Sequence, residues 1–204
     1  MTKALIGESL KVLMRNHPFE KITIKMITDE AGVIRPTFYN YFCDKYEVVE
    51  WIFNEYIIEK VRAMFEQKMY TEGLKLLFVC MKNDCAFYRK AFEITGQNAF
   101  TDIIRNSLHN LFLSEMSEIY IENQTNNPLV TAELVAAFYA NSLSNLLQMW
   151  IQSNNQIAYV VAFRQKSFKL LQLLYCSPCL KGRKPAYLFL CKHSLYFYYC
   201  MTFR

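Results

Sequence analysis

Apolar residues return at every third or fourth position along most of the chain, the period of helices with one buried face. Glycine and proline number only five each, so few breaks interrupt that rhythm and the chain predicts an all-α fold. A first helix is expected over Thr2 to Asn16, with Ile6, Leu10, Leu13 and Met14 on one face, Lys3, Lys11 and Arg15 on the others, and Pro18 ending it. Thr23 is the natural N-cap of a second helix whose buried side is Ile24, Ile27 and Ala31. Gly32 then supplies the left-handed residue of a tight turn, and Val33 plugs the corner. A short third helix follows over Arg35 to Phe42. Phe38 and Phe42 point inward, Pro36 fits the first turn, and Arg35, Thr37, Tyr39, Asn40 and Tyr41 are left on the other faces. A long fourth helix starts near Asp44, with Val49, Ile52, Phe53, Tyr56, Val61 and Phe65 on its apolar side. Further helices are expected at 71–83, 85–95, 98–123, 129–154 and 157–176.

Three short helices with Ala31-Gly32-Val33 between the second and third are the pattern of a helix-turn-helix, in which the third helix enters the major groove of DNA. The chemistry suits that task. Arg35 carries a forked donor for guanine or phosphate, and Thr37, Tyr39, Asn40 and Tyr41 bring hydroxyl and amide groups to phosphates and base edges. Lys45, at the start of the next helix, is placed to reach a backbone phosphate. The expected division is a DNA-binding head at 1–46, a helical regulatory and dimerisation body at 47–176, and an atypical tail at 177–204.

Charge complicates this picture. The formal net charge is +5, yet the head holds seven basic residues against five acids and is only weakly basic. From Leu134 onward there are eight basic residues and no acid, so the middle of the chain is acidic and charge alone would put nucleic acid on the C-terminus. The motif outweighs it. The seven cysteines are odd in number and scattered through apolar helices, which favours a reducing cytoplasm over a disulfide framework. Glu8 and Lys11 interrupt any export signal at the N-terminus. The apolar stretch Leu129 to Ile151 approaches the length of a membrane span, but Glu133 and a stripe of Asn141, Ser144, Asn145 and Gln148 make it a buried or interfacial helix, with no membrane expected.

The ordered set Lys21-Ile22-Thr23-Ile24, Ala31-Gly32-Val33, Thr37-Phe38-Tyr39-Asn40-Tyr41-Phe42 and Lys45 resembles the signature of the TetR family of transcription regulators, over about residues 5 to 55. The resemblance implies a three-helix DNA-binding head on a helical body that forms a homodimer on a palindromic double-stranded DNA operator. It places Thr23 against the DNA backbone, Arg35, Pro36 and Thr37 at the start of the reading helix, Tyr39 and Lys45 on phosphates, and Asn40 and Tyr41 on base or backbone. Ile34 and Pro36 stand where the family commonly has small or polar residues. Through Asn83-Asp84-Cys85-Ala86-Phe87-Tyr88-Arg89-Lys90, and Phe138-Tyr139-Ala140 with Trp150, the body is similar to a subgroup of regulators of dihydroxyacetone kinase operons. Some members of that subgroup are activators that work with a protein partner, so a small-molecule effector and a protein partner both stand as signals.

In the body, the helix at 129–154 is apolar in two rows: Val135, Phe138, Ser142 and Met149, then Leu143, Leu147 and Trp150. With Val160, Phe163, Leu170 and Leu174 on the next helix, the expected use is a dimer contact of two helices from each subunit. Aromatic residues crowd the middle region. Phe65, Tyr88, Phe92 and Phe100 are candidates to line an apolar ligand pocket, plain core being the commoner use of such residues. Cys176, Cys179, Cys191 and His193 have a spacing that zinc could use, but no glycine knuckle or second clean pair supports it, so no metal and no cofactor is expected. His17, His109 and His193 are far apart, no phosphate-binding glycine loop occurs, and the acids form no convincing dyad, so no enzyme site is visible. Two rivals remain: a protein-interaction coregulator with little specific DNA binding of its own, and a peripheral membrane protein using the basic, aromatic tail.

Overall fold

The computed structural model describes residues 1–96, 99–123 and 131–153, and of 117–123 the backbone alone. Among these residues every regular element is helical: α1 (Thr2–Asn16), α2 (Ile24–Ala31), α3 (Arg35–Tyr39), α4 (Lys45–Phe53), α5 (Glu59–Glu66), α6 (Tyr70–Asn83), α7 (Cys85–Ala91), α8 (Phe100–Asn123) and α9 (Ala132–Gln152). A single 3-10 turn, Phe19–Lys21, joins α1 to α2. The helix at 157–176, the tail at 177–204 and the cysteine and histidine quartet lie outside the described residues.

The N-terminal helices form where capping and periodicity put them. α1 spans the expected fifteen residues and buries Ile6, Leu10, Leu13 and Met14. Gly7 lies on the same helix where α4 crosses it closely; a β-carbon there would come within 2.8 Å of the Trp51 ring. α3 is shorter than expected, because Asn40 and Tyr41 belong to the turn that follows it, with the Tyr41 N–H donating to Phe38 at 3.0 Å. Asp44 caps α4 by accepting from the Tyr46 and Glu47 amides at 2.8 and 2.9 Å.

α4 does not stop at Phe53. Asn54 to Ile58 form one wide π-turn and the chain runs on into α5 with helical dihedrals at both junctions. This continuous rod ties the head to the body. At its centre Phe53 meets Tyr88 and Phe100 at ring distances of 6.4 and 5.7 Å. Farther along, Phe65 rests on Tyr70 and Phe112. α8 and α9 pair as the largest helix contact, and α9 adds Trp150 against Phe78 at 5.1 Å.

α1 also touches the body directly, through a charge. Lys11 was expected off the apolar face, but it is 7% exposed. Its ammonium donates to Asp84 at 2.6 Å, where α6 gives way to α7, and pairs with Glu8 at 3.3 Å. The rings of Tyr56 and Phe87 lie 4.5 and 5.8 Å from it. Tyr56 comes from the π-turn, and burial, followed by Glu8, pushes its phenol above the usual tyrosine range.

α9 answers the membrane question raised by its composition. No helix among the described residues is long and apolar enough to cross a membrane. Ser144 lies in the protein interior and donates to the Asn141 carbonyl at 3.0 Å, so the polar stripe is divided between inside and outside.

A buried ammonium that loses its shorter carboxylate bond and keeps only the partly exposed Glu8 is costly, whereas a methionine of similar length is not. Asp84→Ala should therefore lower stability by about 2–4 kcal/mol in urea unfolding, the lower part of that range reflecting the partial exposure of Asp84. Lys11→Met should stay within about 1 kcal/mol of the parent. Equal losses in both variants would mean that Lys11 matters through packing and not through its charge.

Candidate nucleic-acid interface

The interface is built on two local decisions of the backbone. Thr23 takes an extended conformation and its hydroxyl accepts from the Met26 amide at 3.2 Å, which starts α2. Gly32 then sits at φ 65°, ψ 31°, the left-handed region that glycine enters without strain. The following Val33 amide donates to Thr28 at 3.0 Å, closing the end of α2 and redirecting the chain into α3.

α3 is anchored from below and open above. Phe38 is 0% and Phe42 2% exposed, and their rings stand 5.8 Å apart in the core of the head. Arg35, Pro36, Tyr39 and Asn40 are exposed, as is Tyr41 in the next turn, while Thr37 is half-buried. Arg35 donates to the Tyr39 hydroxyl at 3.1 Å and its guanidinium lies 5.6 Å from the ring. The forked donor and the phenol are thus held as one unit on the exposed side of α3, a geometry suited to phosphate and base edges.

Lys45 takes a different position from a free surface lysine. Its ammonium donates to the carbonyls of Phe19, Glu20 and Ile22 at 2.7, 3.2 and 2.9 Å, beneath the Phe19 ring. Desolvation lowers its pKa from the usual lysine value, against the pull of Glu20 and Asp44. Lys3 was not singled out by pattern, yet its ammonium rests 5.2 Å from Phe42 and 5.8 Å from Trp51, at the base of the head.

Residues 9–52 match the family described as "Bacterial regulatory proteins, tetR family", and residues 68–165 match a TetR "Transcriptional regulator C-terminal region". The chain belongs to the TetR family of transcriptional regulators. Within that family it is similar to the HTH-type dhaKLM operon transcriptional activator DhaS of Lactococcus lactis subsp. lactis (strain IL1403), with 30% identity over 94 residues. That match takes in 46% of this chain and about half (50%) of the length of the curated relative. A solved structure titled "Dihydroxyacetone kinase operon activator DhaS" has the same fold, with a TM-score of 0.55, 21% identity, and coverage of 86% of this chain and 94% of that one.

The body residues singled out in this TetR-family chain fall into different places. Tyr88, Phe92 and Phe100 meet: Tyr88 stacks on Phe100 at 5.9 Å and Phe92 meets it edge-on at 5.1 Å. Phe65 does not join their ring contacts, and packs on Tyr70 and Phe112 instead. All four are buried, at 7% exposure or less. Of the expected interface residues, Phe138 is 48% exposed and Val135 half-buried, whereas Leu147 and Trp150 are at 0% and 3%. The last two do not lie on an outer surface, because their row of α9 faces the chain's own core. Val160, Phe163, Leu170 and Leu174 lie outside the described residues.

The two local backbone decisions have measurable worth. Gly32→Ala should cost about 1–2 kcal/mol through its left-handed conformation alone, since a β-carbon there meets nothing within 4 Å. Thr23→Ala should cost about 1 kcal/mol through loss of the cap, and both should appear as lower urea midpoints. Asparagine at position 32 should recover part of the first loss, because it tolerates the left-handed region better than alanine does.

Proposed function

We propose that this TetR-family chain is a homodimeric, sequence-specific DNA-binding regulator that uses α3 to read a palindromic operator. The observation that carries the reading is the α2–Gly32–α3 unit. It holds Phe38 and Phe42 in the core and thereby presents Arg35, Pro36, Tyr39, Asn40 and Tyr41 outward, with Thr37 at the edge. In this reading Arg35 and Asn40 meet base edges, Tyr39, Tyr41 and Thr37 meet base or backbone, and Thr23 lies against a phosphate where α2 begins.

A single short reading helix contacts one half-site, so a dimer is needed to span two half-sites about 34 Å apart or a related spacing. The outward row of α9 supports such a pairing: Leu134, Phe138 and Met149 are 58%, 48% and 49% exposed, an apolar stripe with Ser142 between them. The division into head, body and tail at 46 and 176 belongs to the same proposal. The similarity to an operon activator makes activation the sign of regulation to test first. Because Tyr88, Phe92 and Phe100 pack ring against ring, a small-molecule effector would have to part them, while a protein partner would leave them in place.

Footprinting on DNA upstream of its own gene, at two salt concentrations, tests the reading. The parent protein should protect a short palindrome, and protection should weaken with salt through counterion release. The double variant Arg35→Ala, Tyr39→Ala should lose it while melting cooperatively. Sequence-blind binding that survives the double substitution would remove α3 from the role of reader.

A further inference from the structure

We propose that Lys45 is a positioning residue for DNA reading, acting as an internal clamp that joins the chain segment entering the helix-turn-helix to the segment leaving it. The proposal rests on the DNA-binding reading of α3 given above. An ammonium has three N–H donors, and those of Lys45 are directed at three main-chain carbonyls, of Phe19, Glu20 and Ile22, at 2.7, 3.2 and 2.9 Å. No N–H is left for a phosphate oxygen while this geometry holds.

The carbonyls it gathers belong to one short stretch of chain, the turn between α1 and α2 and the residue after it. Phe19–Lys21 is a single 3-10 turn; its Phe19 carbonyl accepts from the Ile22 amide at 3.1 Å as well as from Lys45, and the carbonyls at its negative end face the ammonium. A fixed positive charge suits carbonyls converging at that end. The Phe19 ring, 4% exposed, covers the ammonium at 4.5 Å, and Tyr46 packs on Phe19 at 5.0 Å. Thr23, the cap that starts α2, follows the clamped turn directly, and Lys45 itself opens α4 just after α3. Residues 23–44 are therefore a loop of chain whose two ends are held by one side chain. The angle of α3 on the core is set from both ends, and Lys45 acts on the DNA through that angle.

Clamp and phosphate contact give opposite signatures. Wild type, Lys45→Met and Lys45→Arg would be compared on a palindromic duplex selected from random sequence by the wild-type protein, and on a random-sequence duplex of the same length, from about 50 to 200 mM salt. If Lys45 is a clamp, Lys45→Met weakens binding to the selected duplex about tenfold or more, leaves random-duplex binding within about twofold, and keeps the salt slope. Lys45→Arg fails to rescue, because a planar fork cannot fill a cup of three converging carbonyls. If Lys45 contacts phosphate, Lys45→Met lowers the slope by about one, weakens both duplexes alike, and Lys45→Arg restores binding, which overturns the proposal. Amide hydrogen exchange on the free proteins gives a reading without DNA. The clamp predicts that the Ile27 and Val33 amides exchange at least tenfold faster in both variants while those of α6 are unchanged; unchanged exchange at Ile27 and Val33 also overturns it. A wild-type protein that selects no duplex would sink the DNA-reading assignment, and the exchange comparison would still decide whether Lys45 holds the segment together.

Discussion

A lysine ammonium cannot be shut between helices unless counter-charge goes with it, and beside Glu8 on its own helix Lys11 takes its shorter bond from a residue seventy-three positions away. The pair matters because of where its members stand. Lys11 belongs to α1, the helix on which the head is built, and Asp84 marks the corner between two helices of the body. Apolar packing between α1 and α7 would tolerate sliding, whereas a bond of 2.6 Å to one carboxylate defines one register. The rings of Tyr56 and Phe87 flank the ammonium and shield the lysine side of that bond. Head and body are thus fastened twice, once by the rod from α4 to α5 and once by charge, and the outward residues of α3 inherit their direction from both.

The head was legible in the sequence because its rules are local. A threonine cap, a left-handed glycine and two phenylalanines one turn apart act within a few residues of their own positions, so Thr23, Gly32, Phe38 and Phe42 all fall where pattern places them. The residues least legible are those whose partners are distant. Lys11 reads as a surface charge until α7 is packed beside α1. Lys45 reads as a residue placed to reach a phosphate, and nothing in the pattern announces its hydrogen bonds to the carbonyls of Phe19 and Ile22. A long flexible side chain carries no periodic signal about which of its neighbours it will serve.

The body was legible in its elements and less so in its faces. Helix limits at α6 and α8 fall within two residues of those expected, but an apolar helix with two hydrophobic rows does not say which row looks inward. Trp150 settles this for α9, because so large a ring needs a cavity of its own and finds one against Phe78. Phe138, three turns earlier on a different side, finds no such place among the described residues and is 48% exposed.

The π-turn at Asn54–Ile58 marks the rod as two helices of different phase. A π-turn carries about one residue more than an α-turn, and each residue advances a helix by about 100°. The apolar stripe of α4 is cut for the small core of the head, and that of α5 for the larger core beyond; the wide turn is the offset that lets both stripes face inward on one unbroken axis. It works like a keyed coupling between two shafts. A chain that lost one residue here could regain regular hydrogen bonding and keep its length almost unchanged, yet every side chain beyond the coupling would be indexed to the wrong neighbour.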